Sequence, residues 1–320
     1  LHNRINLAAD YYRRNNFDLI GVINTQGAGG TIAKYANIAS MRSSGIELTL
    51  STQNIKKKGF SWNTDFIFSK TKNEITDLKS HANVLDLISG NGFGREGYPV
   101  RALFSIPFAG LTEDGLPTFI NQDGQRTIST LNFQEYEKLG FLKYEGPTDP
   151  TITGSFGNIL TYKNFKLNVF LTYSFGNVIR LDPVFSSAYS DLDAMPKEFK
   201  NRWMKAGDEN TTNIPTIVSY RMNQQYAYLN MAYNAYNYSD VRIADGGFIR
   251  LKEISLSYDL PAKVLNFFRL NKLQFKIQAT NLFLLYADSK LNGQDPEFFR
   301  SGGVSTPVPR QFTFTIRLGL

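Results

Sequence analysis

The chain has 320 residues, no cysteine, 20% charged and 14% aromatic side chains, and a formal charge of +7. Without cysteine, disulfides and thiolate metal sites are excluded, and no stretch reaches the ~18 consecutive apolar residues of a membrane-crossing helix. A mean hydropathy of −0.28 still admits a β-barrel in lipid, whose strands alternate apolar and polar residues and so average out.

The chain begins at Leu1, without methionine or a signal peptide, and reads as part of a longer chain. Its first period-two segment, "RINLAADYYRR", has Ile5, Leu7, Ala9 and Tyr11 on one face. "GIELTLSTQ" sets Ile46, Leu48 and Leu50 against Glu47, Thr49 and Ser51. After "IKKKG" (55–59), "FSWNTDFIFSK" opposes Phe60, Trp62, Phe66 and Phe68 to Ser61, Asn63, Asp65 and Ser69. Lys56–Lys58 is the only basic run and sits in this turn, so the positive charge does not point to nucleic acid. A strand over 98–110, an ascending strand in "DGLPTFI" and a descending one over 154–162 lead to the turn "YKN" (162–164). "FKLNVFLTYSFG" then alternates Phe165, Leu167, Val169, Leu171, Tyr173 and Phe175 with mostly polar neighbours. "KLQFKIQATNLF" repeats the pattern with Leu273, Phe275, Ile277, Ala279 and Phe283, and "RQFTFTIRLGL" ends the chain with Phe312, Phe314, Ile316 and Leu318.

Each segment has the roughly ten residues that cross a bilayer core at barrel tilt. Short links at 55–59 and 162–164 and a moderate one at 259–272 alternate with long links at 15–41, 72–97, 122–153, 179–246 and 285–309. Structureless loops beyond ~15 residues are uncommon in compact soluble domains, whereas barrels in outer membranes pair short periplasmic turns with long outer loops. The expectation is an all-β protein, a transmembrane antiparallel β-barrel segment of about ten strands, rather than a soluble sandwich. On the apolar face, Phe165, Leu167, Val169, Leu171, Phe312, Phe314, Ile316 and Leu318 should meet lipid.

The order of several blocks carries a family resemblance. "INLAADYYRRNNFDLI", "SMRSSGIELTLSTQNIKKKGFSWNTDFIFSKTKNEI", "IPFAGLTEDGLPTFINQDG", "GPTDPTITGSFGNILTYKNFKLNVFLTYSFGN", "NRWMKAGDENTTNIP", "DGGFIRLKEISLSYDLP", "LQFKIQATNLFLLY" and "GQDPEFF" resemble successive blocks of the SusC/RagA-type TonB-linked outer-membrane transporters. The resemblance covers nearly the whole chain and implies the C-terminal part of a barrel of about 22 strands. It places residues 1–320 in that barrel, with the plug, the TonB-contacting segment and the N-terminal domains outside this chain. It further implies a nutrient importer, of oligosaccharides most often and of peptides in some branches, in the outer membrane with Leu1 and Leu320 on the periplasmic side. The implied partners are a SusD-like surface lipoprotein acting as a lid and the TonB-ExbB-ExbD complex, with membrane lipid around the wall. Leu320 stands where such strands usually end on an aromatic residue. A barrel of this kind used as a scaffold in a surface assembly is the alternative.

Enzyme chemistry finds little support. The two histidines, His2 and His81, occupy unrelated positions, so neither a His-based triad nor a zinc site is expected, and no cofactor is. "GNGFGREG" (90–97) precedes a strand instead of opening a helix, unlike a phosphate loop. "NQDGQ" (121–125) lacks the acidic count of a calcium loop and reads as turn chemistry. Asp208 and Glu209 read as hydrogen-bond acceptors that fold a loop. Between 220 and 240, Tyr226, Tyr228, Tyr233, Tyr236 and Tyr238 crowd together with Tyr220 among amide side chains. Such rings suit lid or substrate contact, or packing of the loop on its neighbours.

Overall fold

The computed structural model describes residues 4–24, 30, 33–190, 192–299 and 306–319, so Leu1, His2 and Leu320 lie outside the described residues. Eight long strands form one antiparallel sheet in chain order: β1 (Ile5–Asn24), β2 (Ala33–Lys57), β3 (Phe60–Leu78), β4 (Ile152–Tyr162), β5 (Phe165–Phe175), β6 (Phe248–Asp259), β7 (Lys272–Ala287) and β8 (Gln311–Gly319). Every neighbour is next in sequence among these eight, the up-and-down order of a barrel wall. Among the described residues β1 and β8 do not pair with each other. No helix among them is long and apolar enough to cross a membrane, which says nothing of crossing by strands.

Register explains why this chain takes this form. On one face, cross-strand pairing lines up Leu7, Leu50, Phe66, Phe156, Leu171, Leu251 and Phe283 as one band. The opposite face pairs Asn168 with Ser255, Ser255 with Gln278, and Gln278 with Thr313. A slip of one residue anywhere would exchange the two faces. Aromatic rings lying over small partners also hold the register: Tyr12 opposite Gly45, where a methyl group would strike the ring, and Tyr173 opposite Gly154. The Tyr173 hydroxyl goes on to donate to the Ile67 carbonyl at 2.9 Å.

The strand count differs from the sequence expectation. Ala102–Ser105 and Pro117–Ile120, expected to cross, instead join two small sheets outside the wall. Ala102, Leu103, Phe104 and Ser105 are all buried, with no alternation of faces. At ~3.3 Å per residue, four residues are also too short to span a bilayer. Eight is again even, so β1 begins and β8 ends at the edge that carries the tight turns.

The link expected over 15–41 is also corrected. Residues 15–24 and 33–41 continue the β1–β2 ladder, so the connection runs only from 25 to 32. A bulge between Asn16 and Leu19, with Asp18 at φ 55°, shifts the apolar phase and hides the strand from a strict period-two reading. With 20, 25 and 19 residues, β1 to β3 exceed the ~10 needed for a crossing, whereas β4 to β6 have 11, 11 and 12. The wall is therefore stepped. One long excursion leaves the tall side at β3 and returns at β4, the other joins β5 to β6 on the low side, and the first packs back on β3, where buried Ile75 and half-buried Leu78 lie beside Gly94.

Candidate functional site

The two longest excursions, 79–151 and 176–247, fold together into one cap. A short helix Val84–Ile88, the strands Ala102–Ser105 and Pro117–Ile120, and a helix Leu229–Asn237 share a core of Leu87, Phe104, Phe119, Phe185, Tyr233 and Tyr236. Asn83 caps the first helix reciprocally with Asp86.

Buried arginines tie the segments. Arg180 donates Nε to the Ile88 carbonyl (2.9 Å), Nη2 to the Phe104 carbonyl (2.7 Å) and Ser105 Oγ (2.8 Å), and Nη1 to the Ser239 (3.0 Å) and Asn237 (3.5 Å) carbonyls. Burial pushes its pKa down to about 9. It stays charged at neutral pH, its fork filled by oxygen acceptors. Arg242 pairs with Glu198 and lies over the Phe185 ring. Arg250, in β6, pairs with Asp295 of "GQDPEFF" at 2.6 Å, which fastens the β7–β8 connection to the wall.

The turn motifs act as their residue types suggest. Asn121 Oδ1 accepts from the Asp123 and Gln125 amides. Asp208 accepts from the Met204 and Lys205 amides, and Glu209 accepts from Trp203 Nε1 and the Gly207 amide. The Glu209 pKa is lowered, first by its own backbone amide and then by the Trp203 indole, with the Gly207 amide adding less. Trp203 lies flat on Gly115, at φ +76°, so the 112–116 turn docks against the 203–216 segment.

The tyrosines divide. Tyr233 and Tyr236 are 1% and 2% exposed, which removes them from any direct contact with lid or substrate. They recur at helical spacing with Leu229 and Ala232 and face the cap core. Tyr233 donates to the Thr216 carbonyl, and Tyr236 meets Phe185 and Phe108 edge to face. Tyr238 is half-buried beside the Arg180 guanidinium. Tyr226 is half-buried and donates to Asp114 Oδ2 at 3.2 Å, and Tyr228 is 69% exposed. Next to Asp114 opens a depression of about 730 Å³ lined by Thr112, Glu113, Arg126, Glu209 and Asn210. Its carboxylates accept and its guanidinium donates, a mixture that suits a hydroxyl- or amide-rich ligand. Sequence reasoning missed Glu113 and Arg126, which no local motif marks. Among the described residues no group of three or more histidine or acidic side chains could hold a metal ion.

Of the residues expected to face lipid, Phe165, Leu167, Val169 and Leu171 share one face of β5, and Phe312, Phe314, Ile316 and Leu318 share one face of β8. Phe312 and Phe314 are 74% and 61% exposed, apolar area that no described residue covers.

Comparison with known proteins gives this geometry a context. No family model matches the chain. TonB-dependent receptor P3 of Formosa agariphila is 25% identical over 318 residues, covering 92% of this chain and 29% of that receptor. TonB-dependent receptor SusC of Bacteroides thetaiotaomicron is 26% identical over 343 residues, covering 100% of this chain and 30% of SusC. The chain is similar over most of its length to TonB-dependent receptors, SusC among them. A structure of the RagAB peptide transporter superposes on all of this chain with a TM-score of 0.75 at 21% identity, over 33% of its own chain, and shows the shared fold. The chain thus spans about a third of the length of the proteins it matches. Those relatives are receptors and transporters, not enzymes.

Proposed function

We propose that residues 1–320 form the C-terminal part of the barrel, with its outer cap, of a SusC-like TonB-dependent transporter that imports a nutrient across the outer membrane. The observation that carries this reading is the eight-stranded wall, with tight turns at one edge, folded excursions at the other and an uncovered apolar band on one face. Lipid satisfies such a band, and the hydrogen-bonded ladders leave no interior backbone group open to it. The edges at β1 and β8 pair with strands from elsewhere in the longer chain. On this reading the plug and the N-terminal domains, which engage the TonB-ExbB-ExbD complex, also lie there, and Leu1 and Leu320 sit on the periplasmic side.

A SusD-like surface lipoprotein covers the mouth and meets Tyr226 and Tyr228 on the cap. The polar depression beside Asp114 favours an oligosaccharide as cargo, and a peptide is the other candidate. The test is purification of the full-length receptor from its native membrane, followed by identification of copurifying proteins and bound ligands and by an uptake assay with and without the proton-motive force. A surface lipoprotein and energy-dependent uptake are expected. Stable unrelated partners without uptake would replace the transporter with a scaffold.

A further inference from the structure

A second cavity, of about 460 Å³, lies at the outer ends of β5, β6 and β7. It is lined by Glu145, Asn177, Asp245, Asp288 and Lys290, with the Phe175 ring at its edge. Two of the lining side chains carry buried oxygens without a hydrogen bond. Asn177 is 8% exposed and its Oδ1 has no partner. The Glu145 side chain is 10% exposed, and its Oε1 has no hydrogen bond but forms an ion pair with Lys143 Nζ at 3.6 Å. A buried acceptor left open costs about 1–3 kcal/mol, so Asn177 Oδ1 calls for a donor from outside the chain, and Glu145 Oε1, only loosely paired, can accept from the same donor.

The remaining charges narrow the donor. Three carboxylates face two ammonium groups, Lys143 Nζ at 3.6 Å from Glu145 and Lys290 Nζ, which is committed to the Ile243 carbonyl at 2.9 Å. Asp245 and Asp288 are held in place by the Gly247, Asp245 and Lys290 amides. The three carboxylates do not form a metal-holding group. An ammonium group supplies three N–H donors and one positive charge, and an aromatic face favours it. The backbone at Gly246 and Gly247 passes so close to Asn177 and Phe175 that a Cβ at either glycine would collide, which fixes the wall of the cavity.

We propose that this cavity binds the primary ammonium group of a small ligand, with Glu145 and Asn177 accepting its N–H bonds. The group can come from a peptide amino terminus or from an amino sugar. The proposal takes from the transporter reading only that the cap meets incoming solutes, and direct binding tests it separately from uptake. Calorimetry on the full-length receptor compares trialanine with N-acetyl-trialanine, and glucosamine trimer with its fully N-acetylated form. Binding by a free amine, weakened about tenfold or more by acetylation and to a similar degree by Glu145→Gln, is the expected result. Whichever amine binds identifies the source. Equal affinity for free and acetylated probes, absence of binding by both amines, or full affinity in a folded Glu145→Gln receptor would each overturn the assignment. The acetylation arm needs no variant and stands even where a substitution disturbs folding. Loss of uptake with amine binding intact would overturn the transporter reading alone.

Discussion

Replacing Arg180 by methionine should loosen the cap and leave the wall intact. The guanidinium reaches acceptors in three segments, at Ile88, at Phe104 and Ser105, and at Asn237 and Ser239. Methionine keeps much of the volume and none of the donors. Each buried acceptor left open costs about 1–3 kcal/mol, and partial relaxation makes the sum less than additive. A total of roughly 3–5 kcal/mol is expected, in the range found when one partner of a buried charge network is removed. Native-state hydrogen exchange on the full-length receptor reads this locally. Amides of 84–88, 102–105 and 229–239 should lose protection together by that amount, while those of β4 to β6 keep theirs. Arg180→Lys should recover part of the loss, since three donors on a flexible stem replace the fixed fork. Loss of protection below about 1 kcal/mol, or confined to one of the three segments, would refute the cross-tie.

Three other outcomes follow from the same structure. Val169→Arg, on the apolar face of β5, should cost about 2–4 kcal/mol near the bilayer midplane, and Asn168→Arg, beside Glu253, should be mild; folding titrations into vesicles measure both, and equal costs would contradict the assignment of faces. Burial holds the Tyr233 and Tyr236 hydroxyls well above their ordinary range. Below pH ~10 both are neutral folded or unfolded and contribute no pH dependence; above it the unfolded chain releases protons that the cap retains, and stability falls by about 1.4 kcal/mol per pH unit for each. Tyr233→Phe should therefore make the slope of urea stability against pH above 10 less steep by about 1.4 kcal/mol per pH unit, read from near-ultraviolet dichroism, and an unchanged slope would show that Tyr233 titrates freely. Gly45→Val should displace the Tyr12 ring and cost about 1–3 kcal/mol; Tyr12→Ala in the same chain should recover part of it, and strictly additive costs would mean that the two do not interlock.

Much of the wall was legible because a half-buried strand writes its environment into every second residue. Phe165 to Phe175 and Gln311 to Gly319 have that form and are strands over those residues. What stayed hidden had a physical cause in each case. Asp18 and its bulge moved the apolar phase, so the upper half of β1 looked like a loop. Ala102 to Ser105 is buried on both sides, and an unbroken apolar run does not tell a crossing strand from a core strand. In the tyrosine-rich stretch, Leu229, Ala232, Tyr233 and Tyr236 already stand at helical spacing, a signal masked by the number of rings around them. The depression beside Asp114 brings Glu113 and Arg126 close to Glu209. Such a meeting of distant segments leaves no mark in either one.

Because Phe104 and Phe119 come from one excursion and Phe185, Tyr233 and Tyr236 from the other, the cap core belongs to neither alone. Homologous receptors that exchange surface loops to change what they recognise face a constraint here. A graft of 79–151 without 176–247 would set unfamiliar side chains against Tyr236 and leave Arg180 without its acceptors at Ile88 and Phe104. The unit that can be exchanged intact is the matched pair of excursions, separated in sequence by the β4–β5 hairpin that carries them.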